Sequence, residues 1–209
     1  MIVVAGLLLF SYLLGSLSGS LLLGRLRGVD IRSAGSGNAG GTNAFRTQGA
    51  WFALGTVLID VGKGALAAWL ARRLLPAGTP IPWLYACAFA AALGHVWPVF
   101  HGFRGGTGAA TLVGGLAVLW PATLLPAIVV WLLSLMWSGY VGFSTIMAGM
   151  AVFLSALVWG VDASRMAYAF AIAAFLAFTH RSNLARLRRG VEPRFERVRV
   201  LGRLMDRGP

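Results

Sequence analysis

Long apolar runs alternate with short polar ones along the whole chain. The apolar runs cover residues 2–23, 51–71, 81–99, 109–135, 143–160 and 164–179, and the longest polar stretch is 24–50. A hydrocarbon layer about 30 Å thick is crossed by roughly 20 apolar residues of helix, and most of these runs come close to that length. No alternating strand pattern is visible, so the runs read as helices. The run 109–135 is longer than one span needs and contains Pro121 and Pro126. A proline inside a helix removes a backbone donor and clashes with the preceding turn, so this run is predicted to be two short spans turning near Trp120-Pro121. The pattern therefore predicts an all-α, polytopic integral membrane protein with about seven transmembrane helices. Within the first run, Gly15 and Gly19, and Ser16, Ser20 and Gly24, recur at four-residue spacing, which lets another helix approach closely. No Lys or Arg precedes that run, unlike a secretory signal.

Composition agrees. Of 209 residues 58% are hydrophobic and only 11% charged, against about 25% in ordinary soluble domains. One membrane-embedded domain over 1–209, ending in a basic tail at 181–209, is expected. The net charge of +12 comes mostly from arginines near span ends, which favours anionic head groups and phosphorylated substrates. No basic-aromatic or zinc-finger pattern points to nucleic acid. The single cysteine, Cys87, excludes an internal disulfide and reads as a small buried hydrophobe. Positive charge also sets orientation. With the C-terminus cytoplasmic, that side collects Arg25, Arg27, Arg32, Arg46, Arg104 and the nine tail arginines from Arg181 to Arg207, fourteen in all, against Arg72, Arg73 and Arg165 outside. The N-terminus is then expected outside, and the loop 24–50, the segments 101–108 and 136–143 and the tail on the cytoplasmic face, converging on one site.

The candidate chemistry starts at Gly35–Arg46. Four glycines here lie among Ser36, Asn38, Thr42 and Asn43, with Arg46 at the end. Glycines let successive amides turn towards one point, and such a nest holds anions, more so beside a guanidinium. The spacing of Gly35, Gly37 and Gly40 matches a dinucleotide fingerprint in letters only, because no strand precedes it. Asp60 and Lys63, three apart inside an apolar run, are either a neutralising pair that fixes packing or part of a site. His95 precedes a second glycine cluster, Gly102, Gly105, Gly106 and Gly108, with Arg104 and Thr107 inside it. This cluster reads as a second nest or as a tight turn. His180 and Asn183 stand where the last span meets the interface, with Arg181 between them.

Three blocks of these residues resemble one family. They are GSLSGSLLLGRLRGVDIRSAGSGNAGGTNAFRTQG from Gly15, Asp60–Gly64 followed by GHVWPVFHGFRGGTGAAT from Gly94, and HRSNLARLRRGVE from His180. In order and spacing they resemble the bacterial acyl-phosphate:glycerol-3-phosphate acyltransferases (PlsY type). The resemblance implies a multi-pass enzyme of the bacterial cytoplasmic membrane with its site facing the cytoplasm. It would transfer an acyl chain from acyl phosphate to the 1-hydroxyl of glycerol 3-phosphate, releasing lysophosphatidic acid and phosphate, with no metal, cofactor or covalent acyl-enzyme. It implies phosphate and substrate binding by Ser36, Gly37, Asn38, Thr42, Asn43, Arg46, Lys63, His95, Arg104, Gly105, Gly106, Thr107 and Arg181. His180 and Asn183 would be catalytic, orienting glycerol 3-phosphate, and either His180 or the donor phosphate would take the hydroxyl proton.

The chain departs from the family pattern at three places. Thr107 stands where the pattern has lysine, and a charge-assisted hydrogen bond is worth roughly 1.5–3 kcal/mol. Gly139 and Gly142 replace a basic residue and a serine around Tyr140. Arg104 is the sequence's candidate to restore the missing charge. Two alternative readings follow: a divergent relative with a changed donor or acceptor or without turnover, and a transporter of phosphorylated solutes using Asp60 and Lys63 as a pathway.

Overall fold

The structure is a computed structural model that describes residues 1–206; Arg207, counted above in the basic tail, lies outside them. The described residues are mostly helical, with no strand. They gather into two compact units that divide between Pro121 and Ala122.

The first unit contains α1 (Ile2–Gly15), α2 (Gly19–Arg27), α3 (Gly41–Gln48), α4 (Ala50–Leu74), α5 (Pro82–Val96) and α6 (Ala109–Leu119). The second contains α7 (Leu124–Ser138), α8 (Val141–Trp159), α9 (Ala163–Thr179), α10 (Arg181–Arg188) and α11 (Val200–Asp206). Among the described residues four helical stretches are long and apolar enough to cross a membrane: Ala50–Leu74, Pro82–His101, Pro121–Ser138 and Val141–Trp159. The pair α1 and α2 makes a fifth when taken together, and α6 and α9 are shorter apolar helices.

The break expected near Trp120-Pro121 is present: α6 stops at Leu119, and a short 3-10 turn, Pro121–Thr123, leads into α7. The first apolar run, expected to be one span, is not a straight helix. It bends by 43° between α1 and α2. The break exposes backbone groups inside the apolar layer, and charged side chains bond them. The Lys63 ammonium donates to the Leu17 carbonyl at 2.9 Å, and the Asp60 carboxylate accepts the Gly19 amide at 3.1 Å. An unbonded backbone group in lipid costs several kcal/mol, so this pair is what makes the bend tolerable. The polar stretch 24–50 is also more ordered than a loop, holding the end of α2, a 3-10 turn at Ile31–Ser33 and α3.

Lipid tails are as apolar as leucine, so helices associate through close packing at small residues. In the first unit α4 and α6 meet through reciprocal glycines: a Cβ on Gly64 would run into the Thr111 carbonyl, and one on Gly114 into the Val61 carbonyl. Helices α1 and α5 meet likewise at Gly15 against Ala91 and Gly94 against Tyr12. The interior is correspondingly rich in alanine, with Ala67, Ala68, Ala71, Ala88, Ala91 and Ala92 buried beside the free thiol of Cys87. Because backbone cannot retreat as a flexible side chain can, Gly64→Ala is expected to destabilise the protein by about 1–3 kcal/mol. Thermal unfolding in detergent reads this, with Gly62→Ala, whose Cβ would meet nothing, as the neutral control.

Candidate active site

In the first unit two glycine-rich loops are tied together. The Arg32 guanidinium takes Asp30 in a fork, Nε to Oδ1 at 3.0 Å and Nη2 to Oδ2 at 2.7 Å. Its Nη1 donates to the carbonyls of His101 and Arg104 at 3.0 and 3.1 Å. The Ala39 amide donates to the Gly105 carbonyl at 3.4 Å, and the Ser20 hydroxyl to the Ala39 carbonyl at 2.6 Å. Arg32 therefore fixes one loop against the other. Its bond lowers the Asp30 pKa below the ordinary carboxylate value, so the clamp persists into acid.

The first loop is built around Asn43, which is 1% exposed. Its Oδ1 accepts the Ser36 amide at 2.9 Å, and its Nδ2 donates to the Ile31 and Ala34 carbonyls at 2.8 and 3.1 Å. Both amide donors and one lone pair of Oδ1 are thus engaged, and Asn43, expected to touch substrate, shapes the loop. Gly35, at φ +62°, has no room for a Cβ beside the Asn43 amide. The loop then enters α3 at Gly40, whose following amides at Gly41, Thr42 and Asn43 start a helix and so lack partners within it. Ser36 and Gly37 are exposed, and Asn38, Thr42 and Arg46 half-buried, around that helix start. A glycine loop opening a helix is a ready anion site. The buried Asn38 Oδ1 has no hydrogen-bond partner among the described residues.

The second loop differs from expectation. The Gly105 and Gly106 amides donate to the Val96 and His95 carbonyls, both at 3.1 Å. They cap the end of α5 and are not turned to a ligand. Thr107 is half-buried and Arg104 exposed. His101, missed in the sequence, gives its backbone carbonyl to Arg32, and its buried Nε2 has no hydrogen-bond partner among the described residues.

Lys63 and His95, expected as substrate ligands, lie buried within the first unit. They are 5% and 2% exposed. The three donors of Lys63 go to the Leu17 carbonyl, to Asp60 Oδ1 at 2.9 Å and to His95 Nδ1 at 2.8 Å. An ammonium has three donors, and none is left for a phosphate. Both side chains are held by this network, and the His95 imidazole lies against Gly106 of the second loop.

In the second unit His180 is the joint between α9 and α10, and not a member of one continuous helical face. Its Nδ1 stands 2.8 Å from the Leu176 carbonyl. A carbonyl only accepts, so Nδ1 carries the proton and the neutral ring keeps its lone pair on Nε2. Burial lowers the His180 pKa, opposed by the Leu176 bond and by Glu192. Asn183 Nδ2 donates to Glu192 Oε1 at 2.7 Å, and Arg186 Nε donates to Glu192 Oε2 at 2.7 Å. This leaves Asn183 Oδ1 as its open acceptor. Sequence reading missed Glu192 and Arg186 in this role; the signal was Gly190, at φ +72°, which turns the chain back after α10. Gly142 makes room for Asn183, since a Cβ there would stand 2.8 Å from the asparagine Cβ. Arg181 is exposed, stacked 4.2 Å from the Phe178 ring centroid and bonded to the Phe178 carbonyl.

Membrane-length apolar helices, one of them carrying a buried ion pair, and a glycine loop that opens a helix mark the class of helical integral membrane proteins. The chain belongs to the glycerol-3-phosphate acyltransferase family, which matches residues 5–190. It is 36% identical to the glycerol-3-phosphate acyltransferase of Aquifex aeolicus over 189 residues, 90% of this chain and 97% of that protein. It also resembles two crystal structures of PlsY, an integral membrane glycerol 3-phosphate acyltransferase. The glycerol 3-phosphate form gives a TM-score of 0.87 at 36% identity, covering 95% of this chain and 98% of that one. The lysophosphatidic acid form gives 0.85 at 35% identity, with the same coverage.

Proposed function

We propose that the protein transfers an acyl chain from acyl phosphate to the 1-hydroxyl of glycerol 3-phosphate, giving lysophosphatidic acid and inorganic phosphate. Family membership supports the acceptor and the reaction. The observation that carries the chemistry on this chain is the His180 ring, neutral and with its Nε2 lone pair fixed by the Leu176 carbonyl. The hydroxyl oxygen attacks the acyl carbon, the bond from that carbon to the phosphate oxygen breaks, and the hydroxyl proton passes to Nε2 and then to the leaving phosphate. The donor is already activated, so positioning and charge stabilisation supply most of the catalysis.

Ser36, Gly37, Thr42 and Arg46, with the α3 amides, hold phosphate, and Arg104 and Thr107 bind substrate in the second loop. The open acceptor on Asn38 suits a glycerol hydroxyl, since an oxygen takes a donor and repels a phosphate. Asn183, fixed by Glu192, orients the acceptor, and Arg181 lies at the lipid surface. Seven spans, with the N-terminus outside and the site on the cytoplasmic side of a bacterial inner membrane, agree with the fourteen-to-three arginine bias. Full engagement of Asp60 and Lys63 argues against their lining a transport pathway.

The test uses purified protein in detergent with palmitoyl phosphate and glycerol 3-phosphate, following both products. Lysophosphatidic acid and phosphate are expected in equal amounts. Phosphate without lysophosphatidic acid would mean hydrolysis and overturn the reading.

A further inference from the structure

The second unit has a cleft of about 450 Å3 at the C-terminal end of α7, lined by Trp137, Tyr140, Phe143, Leu187, Arg194 and Met205 among others. That volume lies within the range of small-molecule sites, about 300–1,000 Å3. Much of its wall comes from the segment after α10, beyond the residues that the family match covers. This segment is fastened to the turn between α7 and α8. Arg194 Nε donates to the Ser138 carbonyl at 2.9 Å, and the Phe195 amide to the Gly139 carbonyl at 2.9 Å. Gly139 leaves the space: a Cβ there would stand 2.9 Å from Arg194 Cγ.

Arg194 is the centre of this arrangement. Its guanidinium lies 5.1 Å from the Tyr140 ring centroid, its Nε is bonded to Ser138 and stands 3.5 Å from the exposed Glu196, and its side chain is 30% exposed. Both terminal nitrogens have no hydrogen-bond partner among the described residues. A guanidinium anchored through Nε and stacked on a ring presents a fixed fork of donors, the geometry that takes a phosphate in two bonds. Around it the walls are aromatic and aliphatic. The site ends the membrane-length stretch Pro121–Ser138, with Trp137 half-exposed and Leu204 and Met205 of α11 exposed, as expected at head-group level.

We infer that this cleft binds a single-chain lipid with a phosphate monoester head, the phosphate on Arg194 and the chain along Trp137, Phe143 and Met205. Binding at this cleft is measured without turnover.

Dodecyl phosphate carrying a photoreactive group at its chain end tests this, with labelled peptides mapped by mass spectrometry. Saturable labelling within residues 187–205 is expected, competed by plain dodecyl phosphate. It should fall at least about tenfold in Arg194→Gln, remain largely in Arg194→Lys, and fall similarly in Met205→Trp, which fills the apolar wall while leaving the Ser138 and Gly139 bonds in place. Thermal unfolding of each variant checks that the fold persists, and labelling of other segments is the internal standard. Unchanged labelling in Arg194→Gln and Met205→Trp overturns the proposal, as does equal competition by neutral dodecyl maltoside. Competition by inorganic phosphate alone would mark a simple anion site, and equal competition by dioleoyl phosphatidylglycerol an annular phospholipid site. Either result also overturns it.

Discussion

His180→Ala is expected to lower turnover by about 10²–10⁴-fold, the usual contribution of a positioned proton acceptor, with little change in the concentration of glycerol 3-phosphate needed for half-saturation. The ring is buried, its Nδ1–H is committed to the Leu176 carbonyl, and among the described residues no other hydrogen bond reaches it except the 3.4 Å approach of the Thr179 hydroxyl to the same nitrogen. Nε2 is therefore the one ring atom left for chemistry. Asn183→Ala should act differently, raising the substrate requirement as well, because Asn183 offers an oxygen held in place by Glu192 and can accept no proton. Equal losses in the two variants would count against these separate roles. A drop below tenfold in His180→Ala would put the hydroxyl proton on the donor phosphate.

The pH profile gives a second readout. His180 has its pKa lowered, mainly by burial, so in the folded protein it stays neutral below the ordinary histidine value of about 6.5. The acid limb of kcat/KM should therefore fall at a pH under that value and disappear in His180→Ala. Stability follows the same sign. The unfolded chain binds the proton more readily, so the contribution of the neutral ring is complete above the unfolded pKa and is lost as pH falls through the folded one. An acid limb at or above the ordinary value would contradict the buried, neutral ring.

Much of this architecture was legible in the sequence, and the reasons differ by residue. The break at Trp120-Pro121 was readable because proline acts locally, wherever the rest of the chain lies. The break between α1 and α2 was not, since Gly15, Ser16 and Ser18 are equally compatible with a continuous helix packed on a neighbour. What bends it is the pull of Asp60 and Lys63 on Leu17 and Gly19, more than 40 residues away in sequence. The glycine loop was recognisable from composition, but composition does not say which amides turn inward. Gly105 and Gly106 proved to cap α5, and Asn43 proved to be scaffold, because a loop must first satisfy its own backbone. Likewise His180 and Asn183 stood out as polar residues ending an apolar run, whereas Glu192 gains its role only through the turn at Gly190.

Asp60→Asn is expected to cost about 3–5 kcal/mol of stability, the usual penalty for leaving a buried charge without its partner. The substitution is nearly isosteric, and the new amide oxygen can still accept the Gly19 amide that Asp60 accepts at 3.1 Å. What disappears is the negative charge facing Lys63 at 2.9 Å, in a place where both side chains are at most 3% exposed. Adding Lys63→Met to Asp60→Asn removes the stranded ammonium. The double variant should then be more stable than Asp60→Asn alone, even though the Leu17 carbonyl loses its donor at a cost of about 1–3 kcal/mol. His95 eases the change, because its Nδ1, 3.3 Å from Asp60 Oδ1, can take the proton and donate to the new amide once Lys63 no longer donates to it. Thermal unfolding of the wild type, both single variants and the double variant closes the cycle. Strong coupling is expected between two sites that touch. If the double variant is as unstable as the sum of the singles, the charges are not what holds the bend between α1 and α2. The second glycine loop should follow the same order, since His95 lies directly against Gly106. Loss of the pair should therefore weaken substrate binding before it unfolds the protein.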